Sequence, residues 1–453
     1  MSDIIAAIAT GSQPSAIGIL RLSGDGCAAV ADRVFRLNNK KTVAQAEHRK
    51  LLLGTLFDAQ GRTIDHAMLT YAKAPHSYTG EDTVEIQCHG APAVLAAGLE
   101  ALFQAGARQA APGEFTKRAF LNGRIDLTGA EAVADLIDAE TADAAANAAG
   151  QLGGAILRRI EPIYQSLTDI CSHYHAVLDY PDEDIPEFRL LDFEQELSGH
   201  SAALGGLLAT CERGKILKQG VRIALVGRPN VGKSSLLNAL AGFDRVIVTE
   251  IAGTTRDTVE ETVRFGKVLA RLTDTAGIRQ TADRIEAAGV ERSLDAAKDA
   301  DLAIFVCDGS TELDDEDRQS IAAARTAKRS IAVINKSDLP QRVFRVQLPF
   351  AEVLTVSAKD GTGIGALGSY IEKAFANDLP CDGGILTNAR QAEAIGRGKA
   401  AIDRAISAMR HGITPDAVLT DIELAMEAMG ELIGRHIRED ITQRIFERFC
   451  VGK

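Results

Sequence analysis

The chain is short of positive charge: 50 lysines and arginines stand against 62 aspartates and glutamates, for a net charge of −12. That balance excludes a protein that coats nucleic acid through bulk charge, so any RNA contact must use a local patch. Its seven cysteines are scattered, with no C-x-x-C pair and no zinc-ligand spacing, which points to a reduced, cytoplasmic setting. No apolar run reaches about 18 residues, so no membrane helix is expected. The start, Met1-Ser-Asp-Ile-Ile, lacks a basic stretch followed by an apolar core, so no secretory signal is expected either. Repeats of fixed period and low-complexity tracts are absent. At 453 residues the chain has room for two to four domains, each able to bury its own core.

What is present is most specific at Val226-Gly-Arg-Pro-Asn-Val-Gly-Lys-Ser-Ser235, a match to the phosphate-binding pattern G-x-x-x-x-G-K-S. It follows an apolar run (Ile223, Ala224, Leu225, Val226) and opens an amphipathic one (Leu236, Leu237, Ala239, Leu240), the strand–loop–helix context the pattern needs. Glycine lets backbone N–H groups turn inward around phosphate oxygens, and a helix start adds partial positive charge. Asn230, Val231, Gly232, Lys233, Ser234 and Ser235 are the expected nucleotide contacts. Lys233 would reach the terminal phosphates, and the Ser234 hydroxyl would ligate Mg²⁺. By itself the pattern fits an ATPase equally well.

The base is read further along. Ile331-Ala-Val-Ile-Asn-Lys-Ser-Asp338 is an apolar strand that ends in polar residues. The Asp338 carboxylate can accept two hydrogen bonds from the ring N–H and exocyclic amine of guanine. Adenine offers no such donors, and an unpaired buried acceptor costs on the order of 1–3 kcal/mol, more for a charge. Asn335 and Lys336 would brace the loop and cover the base. Backbone N–H groups of Ser357, Ala358 and Lys359 would face the guanine O6. Alone, Asn-Lys-Ser-Asp would read as a surface turn; after a phosphate loop it does not.

Between the two motifs lies Leu272-Thr-Asp-Thr-Ala-Gly277. Asp274 would hold Mg²⁺ through water, with Thr275, Ala276 and the Gly277 N–H on the γ-phosphate side. Thr255, within Gly253-Thr-Thr-Arg-Asp257, would close over Mg²⁺. Four elements in this order predict a GTPase. Where Ras-type enzymes carry a water-orienting glutamine, this chain has Ile278. Another group must therefore orient the water, or hydrolysis must be very slow. Asn230 is a neutral oxygen donor suited to a monovalent cation, and such a cation would offset charge on the transferring phosphoryl group. Glu286 reads either as a solvated helix face or as a carboxylate that acts on water.

Composition divides the chain. Residues 1–118 mix glycine-rich turns with β-like runs at 17–22, 67–71 and 83–87 and a helix at 92–105, a small α+β domain. Residues 119–215 turn to alanine- and leucine-rich helix, notably 130–149 and 154–178. Residues 216–377 alternate strand and helix, as a doubly wound α/β P-loop GTPase domain does. Residues 378–453 return to helix, with apolar residues at three- and four-residue spacing from Asn388 on. The two helical stretches need burial for their apolar faces, and one all-α domain with the GTPase domain inserted would supply it. A GTP-dependent ribosome-assembly switch is the alternative; it would need a basic RNA-binding module or a second GTPase domain, and neither is visible.

Segments outside the GTPase motifs are distinctive. They include Gly18-Ile-Leu-Arg-Leu-Ser-Gly24, Ser77-Tyr-Thr-Gly-Glu-Asp82 and Pro112-Gly-Glu-Phe-Thr-Lys-Arg-Ala-Phe-Leu-Asn122. Leu178-Asp-Tyr-Pro-Asp-Glu183 and Phe449-Cys-Val-Gly-Lys453 complete the set. On these the chain resembles the MnmE (TrmE) family of tRNA-modification GTPases over essentially its full length. The family usually ends Phe-Cys-Ile-Gly-Lys, so Val451 is a small apolar change. The resemblance implies an N-terminal folate-binding and dimerisation domain, a discontinuous helical domain and an inserted GTPase domain. It implies a homodimer that works with the FAD-dependent protein MnmG on tRNA. Together they place an aminomethyl or carboxymethylaminomethyl group at C5 of the wobble uridine. The carbon comes from 5-formyltetrahydrofolate or a related folate, and K⁺-stimulated GTP hydrolysis drives a conformational cycle. Carried over by position, the resemblance puts K⁺ on Asn230, Thr249, Ile251 and Thr254, Thr249 also being a nucleotide contact. Mg²⁺ falls on Ser234 and Thr255, and water activation falls on Glu286. Folate falls on Arg21, Glu85, Arg124 and Lys453. The family often has lysine at Arg124; charge is kept and hydrogen-bond geometry is not. Cys450 stays open between a nucleophile and a small apolar cap on the last helix, since no base stands near it in sequence.

Overall fold

The structure, a computed structural model, describes residues 3–179, 190–242, 260–274, 296–376, 380–435 and 452. The first part is built of β1 (Ile5–Ile8), β2 (Ser15–Ser23), α1 (Cys27–Val34), β3 (Phe35–Leu37), β4 (Leu52–Phe57), β5 (Thr63–Ala72), β6 (Thr83–Gly90), α2 (Pro92–Gln104), β7 (Arg108–Gln109) and α3 (Glu114–Leu121). The strands form one sheet in the order β3-β4-β5-β6-β2-β1-β7. Period-two alternation sends Leu20, Leu22, Val84 and Ile86 to one face, where they pack with Val30, Leu95 and Leu102 of α1 and α2. Arg21 and Glu85, directly opposite each other in the β2/β6 register, fall on the other face. Phe115 of α3 packs on that side with Ile5, Ala7 and Ala110.

A helical part follows, with α4 (Leu127–Ile137), α5 (Ala142–Leu152), α6 (Ala155–Asp179), α7 (Leu190–Leu208) and α8 (Cys211–Gln219). The single helix expected over 130–149 is in fact two. Thr141 leaves the helical region (φ −129°, ψ 153°) and its hydroxyl caps the Ala144 N–H at 3.1 Å, so α5 starts afresh. An alanine-rich pattern has no breaker strong enough to announce this. Positions 118 and 215, read from composition as domain boundaries, lie inside α3 and α8.

The α/β part contains β8 (Val221–Val226), α9 (Lys233–Ala241), β9 (Glu260–Phe265), β10 (Val268–Asp274), β11 (Leu302–Asp308), α10 (Asp315–Ala324), β12 (Ser330–Asn335), β13 (Val353–Thr355) and α11 (Ile364–Phe375). Its sheet runs β13-β12-β11-β8-β10-β9, parallel except for β9. All seven residues of β11 are buried, as a strand covered on both faces requires. Leu236, Leu240, Leu367 and Ile371 of α9 and α11 cover one face, and Ile321 and Ala324 of α10 the other.

The chain then returns to helix with α12 (Ala389–Arg410) and α13 (Pro415–Ile433). Ile402, Ile406, Ile422 and Leu432 from these helices share one core with Ile160, Leu167, Leu197 and Leu204 from α6 and α7. The α/β domain is therefore an insertion in a helical domain. Glu131 of α4 fixes the closure: its oxygens take Arg390 Nε at 2.7 Å, Arg390 Nη2 at 3.0 Å and Gln391 Nε2 at 2.8 Å. Glu131 is only 6% exposed, so Glu131→Ala leaves the buried Gln391 amide without this acceptor and Arg390 with only the longer carboxylate contact, to Glu431 at 3.7 Å. Urea unfolding of the full chain should show a loss of about 3–5 kcal/mol, the range for breaking a buried pair from one side. A loss under about 1 kcal/mol would mean the pair behaves as a surface ion pair.

Candidate functional site

The centre of the α/β sheet positions the phosphate loop. β8, fully buried over its last four residues, ends at Val226, and α9 begins at Lys233. Glycine is required twice between them. A Cβ on Gly227 would stand 2.2 Å from the Val306 carbonyl, and one on Gly232 (φ +96°) 2.3 Å from Asn335 Nδ2. Asn230, at the exposed shoulder of the loop, is left-handed at φ +62°. The Lys233 ammonium donates back to the carbonyls of Gly227 at 2.5 Å and Arg228 at 2.8 Å, holding the loop closed on itself. Ser234 and Ser235 are exposed in the first turn of α9. Asp274 ends β10 with its Cα paired to Leu225, at the same edge of the sheet as the loop.

Two strands away, β12 ends at Asn335. Asn335 is buried and joins three segments: Nδ2 donates to the Val231 carbonyl at 2.9 Å, and Oδ1 accepts the Ala358 N–H at 3.1 Å. That second bond gives the Ala358 N–H, expected at the guanine O6, a partner within the protein, since a buried amide oxygen must find a donor. Ser357, fully buried, donates its hydroxyl to Asp338 Oδ1 at 2.9 Å and so orients the exposed carboxylate. Lys359 is exposed beside it.

Sequence reasoning missed three contributors. Asp308, the last residue of β11, pairs with Lys336 Nζ at 2.6 Å. Burial opposes its ionisation, but Lys336 and Ser310 outweigh this and hold the carboxyl below its ordinary value. An acid closing a wholly apolar strand was the available signal. Arg228 reaches from the phosphate loop to Asp314 at 2.7 Å and Thr311 at 2.6 Å, tying it to the start of α10. Glu140, in the break between α4 and α5, accepts Arg271 of β10 at 2.9 Å through its side chain and Arg264 of β9 at 3.1 Å through its carbonyl. These two contacts seat the helical domain on the β9–β10 hairpin that leads to Asp274, while Lys218 of α8 pairs with Asp135 of α4 at 2.6 Å beside them. They border a cavity of about 400 Å³.

The N-terminal residues also assemble. Arg21 Nε pairs with Glu85 at 2.8 Å, and its guanidinium lies 5.6 Å from the Phe115 ring centroid and 5.9 Å from that of Tyr78. Gly452, 431 positions away, puts its carbonyl 3.5 Å from Arg21 Nη1. Arg124 is exposed and packs its stem over Gly80, so the 77–82 loop touches both arginines. Arg118 secures that loop and α3 through Glu81 at 2.9 Å and Glu114 at 3.0 Å. Burial pushes the thiols of Cys27, Cys88 and Cys307 up to about 12, so none of these is a nucleophile near neutral pH. Thr249, Ile251, Thr254, Thr255, Thr275, Ala276, Gly277, Ile278, Glu286, Cys450 and Lys453 lie outside the described residues.

A phosphate loop on a central strand, with an Asn-Lys-x-Asp loop two strands away, defines a P-loop GTPase domain. The model for the GTP-binding protein TrmE N-terminus matches residues 4–124, and that for the MnmE helical domain matches 127–450. The tRNA modification GTPase MnmE of Aquifex aeolicus is 42% identical, covering 100% of both chains. That of Roseiflexus castenholzii is 41% identical, over 100% of this chain and 99% of the relative. The G domain of the T. maritima FeoB iron transporter aligns at 26% identity and a TM-score of 0.27, over 35% of this chain and 99% of that one. The chain belongs to the MnmE family of tRNA modification GTPases.

Proposed function

We propose that this chain hydrolyses GTP, stimulated by K⁺, as one half of a tRNA wobble-uridine modification system. In this reading it is a cytoplasmic homodimer that works with an FAD-dependent partner and a folate-derived one-carbon unit. The nucleotide reading is carried by the Asn335 bridge, which spans the phosphate loop and the Ser357–Ala358 turn in one side chain. A base loop locked to a phosphate loop recognises both ends of a nucleotide as one ligand. The modification reading is supported by full-length identity of 41–42% to relatives named for that role. Among the described residues no helix is long and apolar enough to cross a membrane.

Those of the implied ion donors that lie among the described residues suit the ions by their chemistry. Asn230 has its carbonyl engaged by Lys336, while its side-chain amide makes no hydrogen bond to any described residue. A neutral amide oxygen suits K⁺. Ser234 on the first turn of α9 and Asp274 at the strand edge are hard oxygen donors that suit Mg²⁺. When bound, these ions would neutralise charge on the transferring phosphoryl group. The chain's own part is positional: Lys233 and the loop N–H groups hold phosphate, Asp338 selects guanine, and Glu286 orients water. In the N-terminal domain, Arg21 and Glu85 with Arg124 and Lys453 would take the folate. A carboxylate matches the amino-pyrimidine edge, and cations match the glutamate tail. Cys450 is the candidate for a direct chemical role there.

Asp338→Asn tests the guanine assignment. The variant keeps the Ser357 contact but exchanges one acceptor for a donor, so it should bind GDP roughly 10- to 100-fold more weakly. It should gain affinity for xanthosine diphosphate, whose C2 oxygen matches the new amide donor. Calorimetric titration that finds GDP affinity unchanged would remove Asp338 from the base site. Mass spectrometry of tRNA nucleosides from cells lacking the protein tests the larger reading; wobble uridines that keep their full C5 modification would overturn it.

A further inference from the structure

We propose that Asp308 is a positioning residue for nucleotide binding, one that sets Lys336 before the ligand arrives; the proposal rests on the GTP reading of the site. Lys336 stands at φ +62° on the exposed side of the base loop, and its side chain is one-third exposed. A lysine stem there would ordinarily sample many rotamers. Here the ammonium is held at two points, Asp308 Oδ2 at 2.6 Å and the Asn230 carbonyl at 3.1 Å. The stem is thereby stretched from the base loop to the phosphate loop, along the side of the site a bound base would share.

Asp308 is built for this rather than free to pair by chance. Its second oxygen, Oδ1, accepts the Ser310 N–H at 2.9 Å and the Ser310 hydroxyl at 2.6 Å, so the carboxylate cannot turn away. The turn it opens also grips the base loop from both ends. The Gly309 N–H donates to the Asn335 carbonyl at 2.9 Å, and the Gly309 carbonyl accepts the Arg342 N–H at 2.7 Å. Gln341 Nε2 in turn donates to the Lys336 carbonyl at 3.0 Å. The end of β11 thus sets both the backbone and the side chain of Lys336. Ordering that lysine before binding removes an entropic cost that GDP would otherwise have to meet.

The test is a double-mutant cycle on the full chain, read by equilibrium binding of a fluorescent GDP analogue. Asp308→Asn should weaken binding roughly tenfold in the wild-type background, the scale of a lost charged contact and one freed long side chain. In a Lys336→Met background the same substitution should change affinity by less than about twofold, because there is no ammonium left to place. Asp308→Glu, which keeps the charge, should return most of the affinity. Equal losses in both backgrounds would show that Asp308 only supports the fold and would overturn the proposal, as would wild-type affinity in Asp308→Asn. Should Asp308→Asn fail to fold, Ser310→Ala loosens the same carboxylate from its other oxygen and gives the same comparison at about threefold. Absence of GDP binding by the wild-type chain would instead sink the GTP reading itself.

Discussion

Alanine in place of Glu286 should lower GTP turnover by about 100-fold or more and leave GTP affinity nearly unchanged, the signature of a lost water-orienting group. The motive is chemical. After Asp274-Thr-Ala-Gly277 the chain carries Ile278, which has no polar group to offer the attacking water. Positioning and electrostatics are nearly all that a protein contributes to phosphoryl transfer, so some other residue must supply the first. Glu286 lies twelve residues past Asp274, within the stretch that such domains order around a γ-phosphate. Single-turnover hydrolysis and equilibrium binding of a non-hydrolysable GTP analogue separate the two effects. Near-normal turnover would return Glu286 to a solvated helix face and leave the chain without a water-activating group.

Turnover should also be about 100- to 1000-fold faster in K⁺ than in Na⁺ at equal ionic strength, the usual worth of one charge contact made in the transition state. Asn230 is the residue on which this rests. It stands exposed at the shoulder of the phosphate loop in a left-handed conformation, φ +62°. Lys336 occupies its carbonyl, so the side-chain oxygen is the donor left for a cation. Asn230→Ala should lose most of the K⁺ effect while GDP binding persists, because the phosphate-loop N–H groups and Lys233 are untouched. Equal rates in the two salts would refute the potassium reading. A variant that keeps the K⁺ effect would move the cation to other ligands.

The local chemistry was legible in the sequence because it is local. Eight consecutive residues make a phosphate loop through their own backbone, and its glycines are demanded by close approaches to Val306 and Asn335. Period-two and three-to-four-residue patterns likewise announced β2, β5, β6, α2 and the helices on either side of the insertion. The break at Thr141 was hidden because a single capping hydroxyl interrupts an otherwise uniform alanine-rich run.

By itself, then, the sequence determined the class of each domain, the nucleotide loops and the order in which they come. Those features depend on backbone conformation and on residues a few positions apart. The tertiary structure alone decided which charges meet: Arg21 with Glu85 across 64 positions, Asp308 with Lys336 across 28 and Glu131 with Arg390 across 259. It also decided that Gly452 returns to Arg21 across 431 positions and that Glu140 seats the helical domain on the β9–β10 hairpin. A charged side chain looks the same in a sequence whether it is solvated or paired. Only the fold, by bringing a partner within about 3 Å and excluding water, gives it a task.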